Sequence, residues 1–450
     1  MPEIEEIDVV EVKQNPPARN EVRVGIVGYG TVGRATAEIL ASHAEEIRQR
    51  ADGVSIRVTR ACRRAPADSE RTPEGVAVVS DWRQVVYADD VDIVVEAIGG
   101  TEVARDVVRA SIEQGKAVVT ANKALIAQFG EELFALADAK RVPIGIEATV
   151  GGGVPIIRAI AEALAADRIQ AVYGIVNGTA NFILTQMEAH GVQFDQALKQ
   201  AQEAGYAEAD PRLDIDGLDA RDKISILARL AFNASLSPAQ IPVTGIRQIA
   251  ATDFHYARRL DATIRLVAAA ERSAAGISVS VGPWLVEGES MLAKVDGANN
   301  AIFLKGEKVG TQMLYGRGAG GEATGTAVLS DVVQIAKHLA REQRVPNGLP
   351  GFHQPQHLAL VERQRPVSWY LRLTVRDHPG ILARVAEAIA REEINIDSVI
   401  QEPHMAKERL SFVITLEPVG ECVVRKAVEA INKFEFMLEP VLVLPIASSC

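Results

Sequence analysis

Six residues, Gly28-Tyr29-Gly30-Thr31-Val32-Gly33, constrain this chain more than any others. They follow a β-rich run, Val22 to Val27, and open a helical pattern from about Val32 to Arg50. Glycine lets the turn form and lets the backbone approach a pyrophosphate. The helix N-terminus then offers unpaired N–H groups and a partial positive charge. A plain strand-to-helix turn is the alternative, but the strand–glycine–helix context favours dinucleotide binding. Further strands are expected at Val54–Thr59, Val91–Ile98, Ala117–Thr120 and Val142–Ile146, with helices at Val103–Gln114 and Gly130–Ala139. That alternation predicts an α/β fold, a parallel sheet with helices on both faces.

The chain has 450 residues, which predicts two to four domains at ~100–200 residues each. Residues 1–20 read as a flexible tail and 21–150 as the Rossmann-type dinucleotide-binding domain, completed by about 322–345. Glycines 151–153 break the alternation, and 151–321 read as a less regular α+β domain. Pro346, Pro350, Pro355 and Pro366 mark 346–366 as a linker. Residues 367–450 follow a β-α-β-β-α-β order, the ferredoxin-like split unit. The formal net charge of −11 argues against a nucleic-acid partner, which needs clustered Lys and Arg. No apolar run of ~18 residues predicts a transmembrane helix, and the acidic start MPEIEEIDVV lacks the form of a secretory signal. Cys62, Cys422 and Cys450 are odd in number and scattered, which suggests a reducing cytoplasm without disulfides or zinc.

An NAD site usually carries an acid at the end of the second strand. Asp52 has about the right spacing, but it precedes that strand beside Gly53 and reads as a turn residue. The strand runs instead into Arg60, Arg63 and Arg64. Guanidinium groups there suit a 2′-phosphate, so NADP is expected over NAD. A solvated basic loop is the plainer reading.

The segment Gly205–Lys223 packs six acids and three bases into nineteen residues. Gly217 should precede a helix on which Asp219 and Lys223 share a face. Spacing alone describes an exposed pair worth ~0.3–0.5 kcal/mol. The acids do not have the spacing of a calcium loop, and no histidine is near. Lys123 follows Thr120-Ala121-Asn122 at the end of a strand, where ligands of such sheets bind. It could meet a substrate carboxylate or carbonyl, or simply start a surface helix. No cysteine is placed as a nucleophile, whereas hydride transfer to a carbonyl needs only an acid such as a protonated lysine.

Together these segments resemble homoserine dehydrogenase from about residue 21 onward. The likeness takes in Gly28–Gly33, Thr120–Lys123, the stretch Glu147 to Pro155, Asn177-Gly178-Thr179-Ala180-Asn181, Gly205–Lys223 and Gly316–Gly321. The C-terminal unit resembles an ACT domain, with Asp377-His378-Pro379-Gly380 at its first turn. The arrangement is that of the monofunctional bacterial type. The resemblance implies reversible NAD(P)-dependent reduction of L-aspartate 4-semialdehyde to L-homoserine, in threonine, methionine and isoleucine biosynthesis. It implies that Lys223 is the proton donor, that Asp219 orients it, and that Lys123 lies between nicotinamide and substrate. Glu208 would bind the substrate ammonium group, with Asp214, Tyr206, Asn177, Gly178 and Thr179 around it. Gly28, Tyr29, Gly30, Thr31, Val32 and Gly33, with Gly99, Gly100, Ala319 and Gly320, would hold the cofactor. Glu147, Val150, Gly152 and Val154, mostly through backbone carbonyls, would hold a monovalent cation, which in the family is usually sodium.

It also implies an L-threonine effector at the ACT unit and a homodimer or homotetramer. One departure stands out. After Gly321 the family usually has an apolar residue and then Pro-Thr, but this chain reads Glu322-Ala323-Thr324, an acid close to the expected nicotinamide. Two other readings remain: another NAD(P)-dependent carbonyl reductase, or a non-catalytic sensor of nucleotide and amino acid. Lys223 and Glu208 speak against both.

Overall fold

A computed structural model describes residues 19–63, 75–341, 349–403 and 406–447. Most of the expected tail, Arg64 and Cys450 therefore lie outside the described residues.

Strands β1 (Glu21–Val27), β2 (Ser55–Cys62), β3 (Ala77–Val79), β4 (Ile93–Glu96), β5 (Ala117–Thr120) and β6 (Ile144–Gly145) form one parallel sheet in the order β3-β2-β1-β4-β5-β6. The order reverses between β1 and β4, which opens the crevice where such sheets take ligands. Val24, Ile26, Ile93 and Val95 are buried in it, the near-continuous apolar pattern of a sheet covered on both faces. The long helix expected after the glycines is two, Thr31–Ser42 and Ala44–Arg50. The Ser42 hydroxyl donates to the Glu38 and Ile39 carbonyls, a local bond that competes with continuing the helix.

The helix expected at Gly130–Ala139 starts earlier, at Lys123, and ends at Lys140. Gly130 sits inside it because a Cβ there would lie 2.4 Å from the Phe352 ring. Helix Gly321–Ala340 packs on helix Thr31–Ser42, where a Cβ on Gly325 would meet the Thr36 nitrogen at 3.1 Å. Its Val328, Val332 and Ile335 join the core of the parallel sheet.

The second sheet has nine strands. β7 (Ile169–Ile175), β8 (Ala262–Arg272), β9 (Ile277–Glu287), β10 (Asn299–Gly306) and β11 (Gly310–Arg317) come from the middle of the chain. β12 (Val367–Val375), β13 (Ile396–Gln401), β14 (Leu410–Val419) and β15 (Leu442–Ala447) come from its end. The order is β11-β10-β7-β8-β9-β15-β12-β14-β13, so the C-terminal unit continues the sheet of the middle domain. The junction is parallel, Ile446 beside Leu285 and Ala447 beside Val286. Two further pieces cover the same edge of β9. Pro242–Thr244 bonds with Val281, and Ala359–Val361 bonds with Ile277. The proline-rich connector is thus not a loose spacer. Phe352 in it stacks on Phe134 with ring centroids 4.8 Å apart, and Gly351 donates to Asn233 Oδ1 at 2.6 Å.

Candidate active site

The carboxyl ends of β4 and β5 face the middle domain, and the chemistry-bearing residues gather where the two meet. Asn122 caps helix Lys123–Lys140 by accepting from the Leu125 N–H at 3.1 Å. That cap fixes Lys123 in the first turn, with Nζ 3.0 Å from Asp219 Oδ1. Across the gap, Gly217 takes φ +81°, a left-handed conformation that favours glycine, and starts helix Leu218–Phe232. Lys223 Nζ donates to Asp219 Oδ2 at 2.8 Å and to the Val176 carbonyl at 2.6 Å.

The pair that spacing described as exposed is therefore buried, Asp219 at 8% and Lys223 at 9% exposure. The reason is tertiary. Ile224, Ile226, Leu227 and Leu230 are buried around the helix, so the face carrying the pair is covered as well.

Asn177 ties the cluster together. Its Oδ1 accepts from the Ala180 N–H and caps helix Gly178–His190, while Nδ2 donates to Asp219 Oδ2 at 2.8 Å and to Asp214 Oδ1 at 2.7 Å. Burial works against ionised Asp219, but the Lys223 and Lys123 ammonium groups outweigh it and hold its carboxyl well below the usual range. Asp219 in turn holds Lys123 above the ordinary lysine value. Burial pushes the Asp214 carboxyl up.

These groups line a cavity of about 980 Å³. Gly178, Thr179 and Tyr206 form one side of it, where Thr179 Oγ1 donates to the Tyr206 carbonyl at 2.7 Å. Glu208 is exposed and lines the same side. Val32, Gly152, Ala319 and Gly320 form the opposite wall. A Cβ on Gly152 would lie 2.5 Å from the Gly318 carbonyl carbon, so this wall is closed by backbone against backbone.

The glycine turn fits a dinucleotide. A Cβ on Gly28 would lie 2.4 Å from the Ala97 oxygen, and one on Gly33 would lie 2.3 Å from the Gly28 oxygen. No side chain caps helix Thr31–Ser42, and the start of helix Gly321–Ala340 presses against Thr31, so two helix N-termini open on one place. The Gly28 and Tyr29 N–H groups both donate to the Cys62 carbonyl, and the Tyr29 side chain is buried in the core. A pyrophosphate would thus be met from Gly30, Thr31 and Val32 onward. Gly99 and Gly100 follow β4, and the Gly100 carbonyl accepts from Asn122 Nδ2 at 2.7 Å.

Two expectations are corrected. Arg60 is paired through Nε with Asp90 at 2.6 Å, in the turn that leads into β4 at the amino ends of the strands, so it is not a 2′-phosphate ligand. Arg63, beyond the end of β2 and next to Cys62, stands beside the glycine turn. Glu322 does not enter the cavity. It is exposed and lines a separate groove with Ala35 and Arg158. Asp52 is a turn residue, with φ +56° and an ion pair to Arg341 at 2.9 Å.

The Glu147 carboxylate accepts the Ile157 and Arg158 N–H groups, both at 3.0 Å, and so caps a helical turn. Burial, with Asp331 beside it, pushes this carboxyl up to about 7. With that carboxylate engaged, Glu147 would offer a cation its backbone carbonyl, beside those of Val150, Gly152 and Val154, the last of which also accepts the Ile156 N–H at 2.8 Å; carbonyls are hard oxygen donors that suit an alkali ion. Sequence reasoning missed the bridging role of Asn177, although Asn before Gly-Thr is an N-cap signal. It also missed Asn300, which shares the Val176 carbonyl with Lys223, and Glu96, fully buried and hydrogen-bonded to Thr120 and to the Ile98 N–H. Burial pushes the Glu96 carboxyl up to about 7.

Comparison with known proteins agrees with this arrangement. Residues 28–147 match the family model of the homoserine dehydrogenase NAD-binding domain, 155–333 match homoserine dehydrogenase, and 369–436 match the ACT domain. The chain is 39% identical over 428 residues to the homoserine dehydrogenase of Pseudomonas aeruginosa, covering 94% of this chain and 98% of that one. It is similar to the crystal structure of a homoserine dehydrogenase from Thiobacillus denitrificans, with a TM-score of 0.90 and 39% identity over 96% of this chain and 99% of that one. A hyperthermophilic archaeal homoserine dehydrogenase in complex with NADPH matches 70% of this chain and 97% of its own, with a TM-score of 0.60 and 29% identity.

Proposed function

The chain belongs to the homoserine dehydrogenase family, and from that premise we propose how its residues carry the reaction. It interconverts L-aspartate 4-semialdehyde and L-homoserine with a nicotinamide cofactor, and it carries an ACT domain. The nicotinamide, when bound, supplies or accepts the hydride. Lys223 Nζ gives a proton to the aldehyde oxygen as negative charge grows there. Asp219 aims that lysine, and the Val176 carbonyl fixes its second direction. Lys123, on the other oxygen of Asp219, stands on the nicotinamide side and is a second channel for protons. Glu208 takes the substrate ammonium group, with Asp214 behind it.

The observation that carries this reading is the single carboxylate, Asp219, shared by two lysines inside a cavity walled by Val32 and Gly320. NADP is the preferred cofactor, with Arg63 at the 2′-phosphate. Sodium or a similar ion would brace the Glu147–Val154 stretch through carbonyls, away from the chemistry. L-Threonine is the effector of the ACT unit. The enzyme works in the cytoplasm, in threonine, methionine and isoleucine biosynthesis. The exposed Tyr315 and Val309 at the β11 edge favour a homodimer or homotetramer. Absorbance at the nicotinamide band tests the whole reading, with L-homoserine, NADP⁺ or NAD⁺, and L-threonine present or absent. Reduction of neither cofactor would overturn the proposal.

A further inference from the structure

A lysine ammonium group has three N–H bonds to give. Lys223 uses two of them inside the protein, on Asp219 Oδ2 at 2.8 Å and on the Val176 carbonyl at 2.6 Å. The third is left for the substrate oxygen, so its direction depends on where those two acceptors stand. Asp219 is held by Asn177 and Lys123. The Val176 carbonyl lies just past the end of β7, and one more side chain donates to it, Asn300 through Nδ2 at 3.1 Å. A carbonyl oxygen has two lone pairs, and these two donors match both.

Strand register brings Asn300 there. Ala301 of β10 pairs with Ile175 of β7, which sets Asn300 beside Val176. On its other side Asn300 pairs with Gly316 of β11, the strand that runs into Gly318, Ala319 and Gly320. A Cβ on Gly318 would overlap the Asn300 amide. Gly318 has no positive φ, so this closeness, and not backbone conformation, calls for glycine there. The amide thus fills the space between the carbonyl that aims Lys223 and the wall of the cofactor crevice. Asn300 is buried, and its Oδ1 has no hydrogen-bond partner among the described residues. An unpaired buried oxygen works against stability. An apolar side chain of the same size would fill the space without that cost, so what the amide adds is its bond to Val176.

We infer that Asn300 is a positioning residue for the proton transfer: through the Val176 carbonyl it sets the direction of the free Lys223 N–H, and through Gly318 it fixes the spacing between that lysine and the Ala319–Gly320 wall. Proton donor and hydride donor are then kept in register by one side chain that bonds to neither. The inference rests on the reading of Lys223 as the proton donor given above.

Asn300→Leu keeps the volume and removes the donor. In the full chain it lowers kcat for the reduction of L-aspartate 4-semialdehyde roughly tenfold, while the KM of that substrate and the Kd of NADPH move by less than about threefold. In single-turnover reduction the solvent deuterium isotope effect rises, because proton transfer is the slowed step. Gly318→Ala weakens NADPH binding, and adding Asn300→Ala restores part of it by making room for the new methyl group. Four results would overturn the inference: an unchanged kcat in Asn300→Leu, a lower kcat with the solvent isotope effect of the unmodified chain, a loss just as large when Lys223 is already alanine, or a loss of NADPH binding, which would assign the residue to the fold alone. Strictly additive effects of Gly318→Ala and Asn300→Ala would overturn the contact with the wall. Lys223→Ala by itself reports on the proton-donor reading. If it loses kcat and Asn300→Leu does not, the reading stands and only the inference fails.

Discussion

Lys123 and Lys223 hold opposite oxygens of one carboxylate, at 3.0 and 2.8 Å. Asp219 is therefore a common counter-ion that joins two lysines from different domains. Lys223→Ala should lower kcat by about two to four orders of magnitude, the usual cost of losing a general acid. Fluorescence titration should find NADPH binding unchanged. A kcat near that of the unmodified enzyme would pass the role to Lys123.

Asp219→Asn keeps the shape but removes the charge. Asp219 raises the Lys123 value, so without it the ammonium form loses its proton at lower pH. Lys123 is the second channel for protons, so the part of the alkaline limb of aldehyde reduction that reports on it should move to lower pH in this variant, with kcat reduced. A pH–rate profile whose alkaline limb stays in place would refute the link.

Glu208→Ala should act on binding. The KM for L-homoserine should rise roughly 10- to 100-fold with kcat little changed, because a charge contact made equally in ground and transition states is lost. Steady-state kinetics separates the two constants. A fall in kcat with KM constant would contradict the assignment.

Glu96 makes stability depend on pH. Its carboxyl is pushed up to about 7 in the folded chain, against ~4.3 when unfolded. The folded state binds the extra proton between these values. Stability is therefore highest below the lower value and falls as pH rises towards about 7. Thermal unfolding from pH 5 to 8 should show a steeper decline for the unmodified chain than for Glu96→Gln. Parallel curves would mean the carboxyl does not titrate there.

Asp253→Ala would leave the Arg372 guanidinium buried without its counter-charge. The cost should be about 3–5 kcal/mol, and adding Arg372→Leu should recover part of it. Denaturant unfolding of the two single variants and the double variant measures the coupling.

Much of the nucleotide-binding domain could be read from the sequence because its signals are local. Gly28–Gly33 and the alternation around it need no distant partner, and neither does the β-α-β-β-α-β order after 367. The active site was legible only in its ingredients. Gly205–Lys223 holds Asp219 and Lys223, yet spacing alone made them an exposed pair, since burial depends on elements far along the chain. Arg60 shows the same limit: its type and position suited a phosphate, but Asp90, thirty residues on, holds it. Arg372 and Asp253 are 119 residues apart, and no periodicity links them.

The outer edge of β9 is sealed by three short pieces, two of them contributed by residues after 350. Ending the chain before 350 would strip those two pieces away and bare the part of this eleven-residue strand that Pro242–Thr244 does not cover. The C-terminal unit thus closes an edge of the middle domain's sheet, a part in folding that is separate from any ligand it binds.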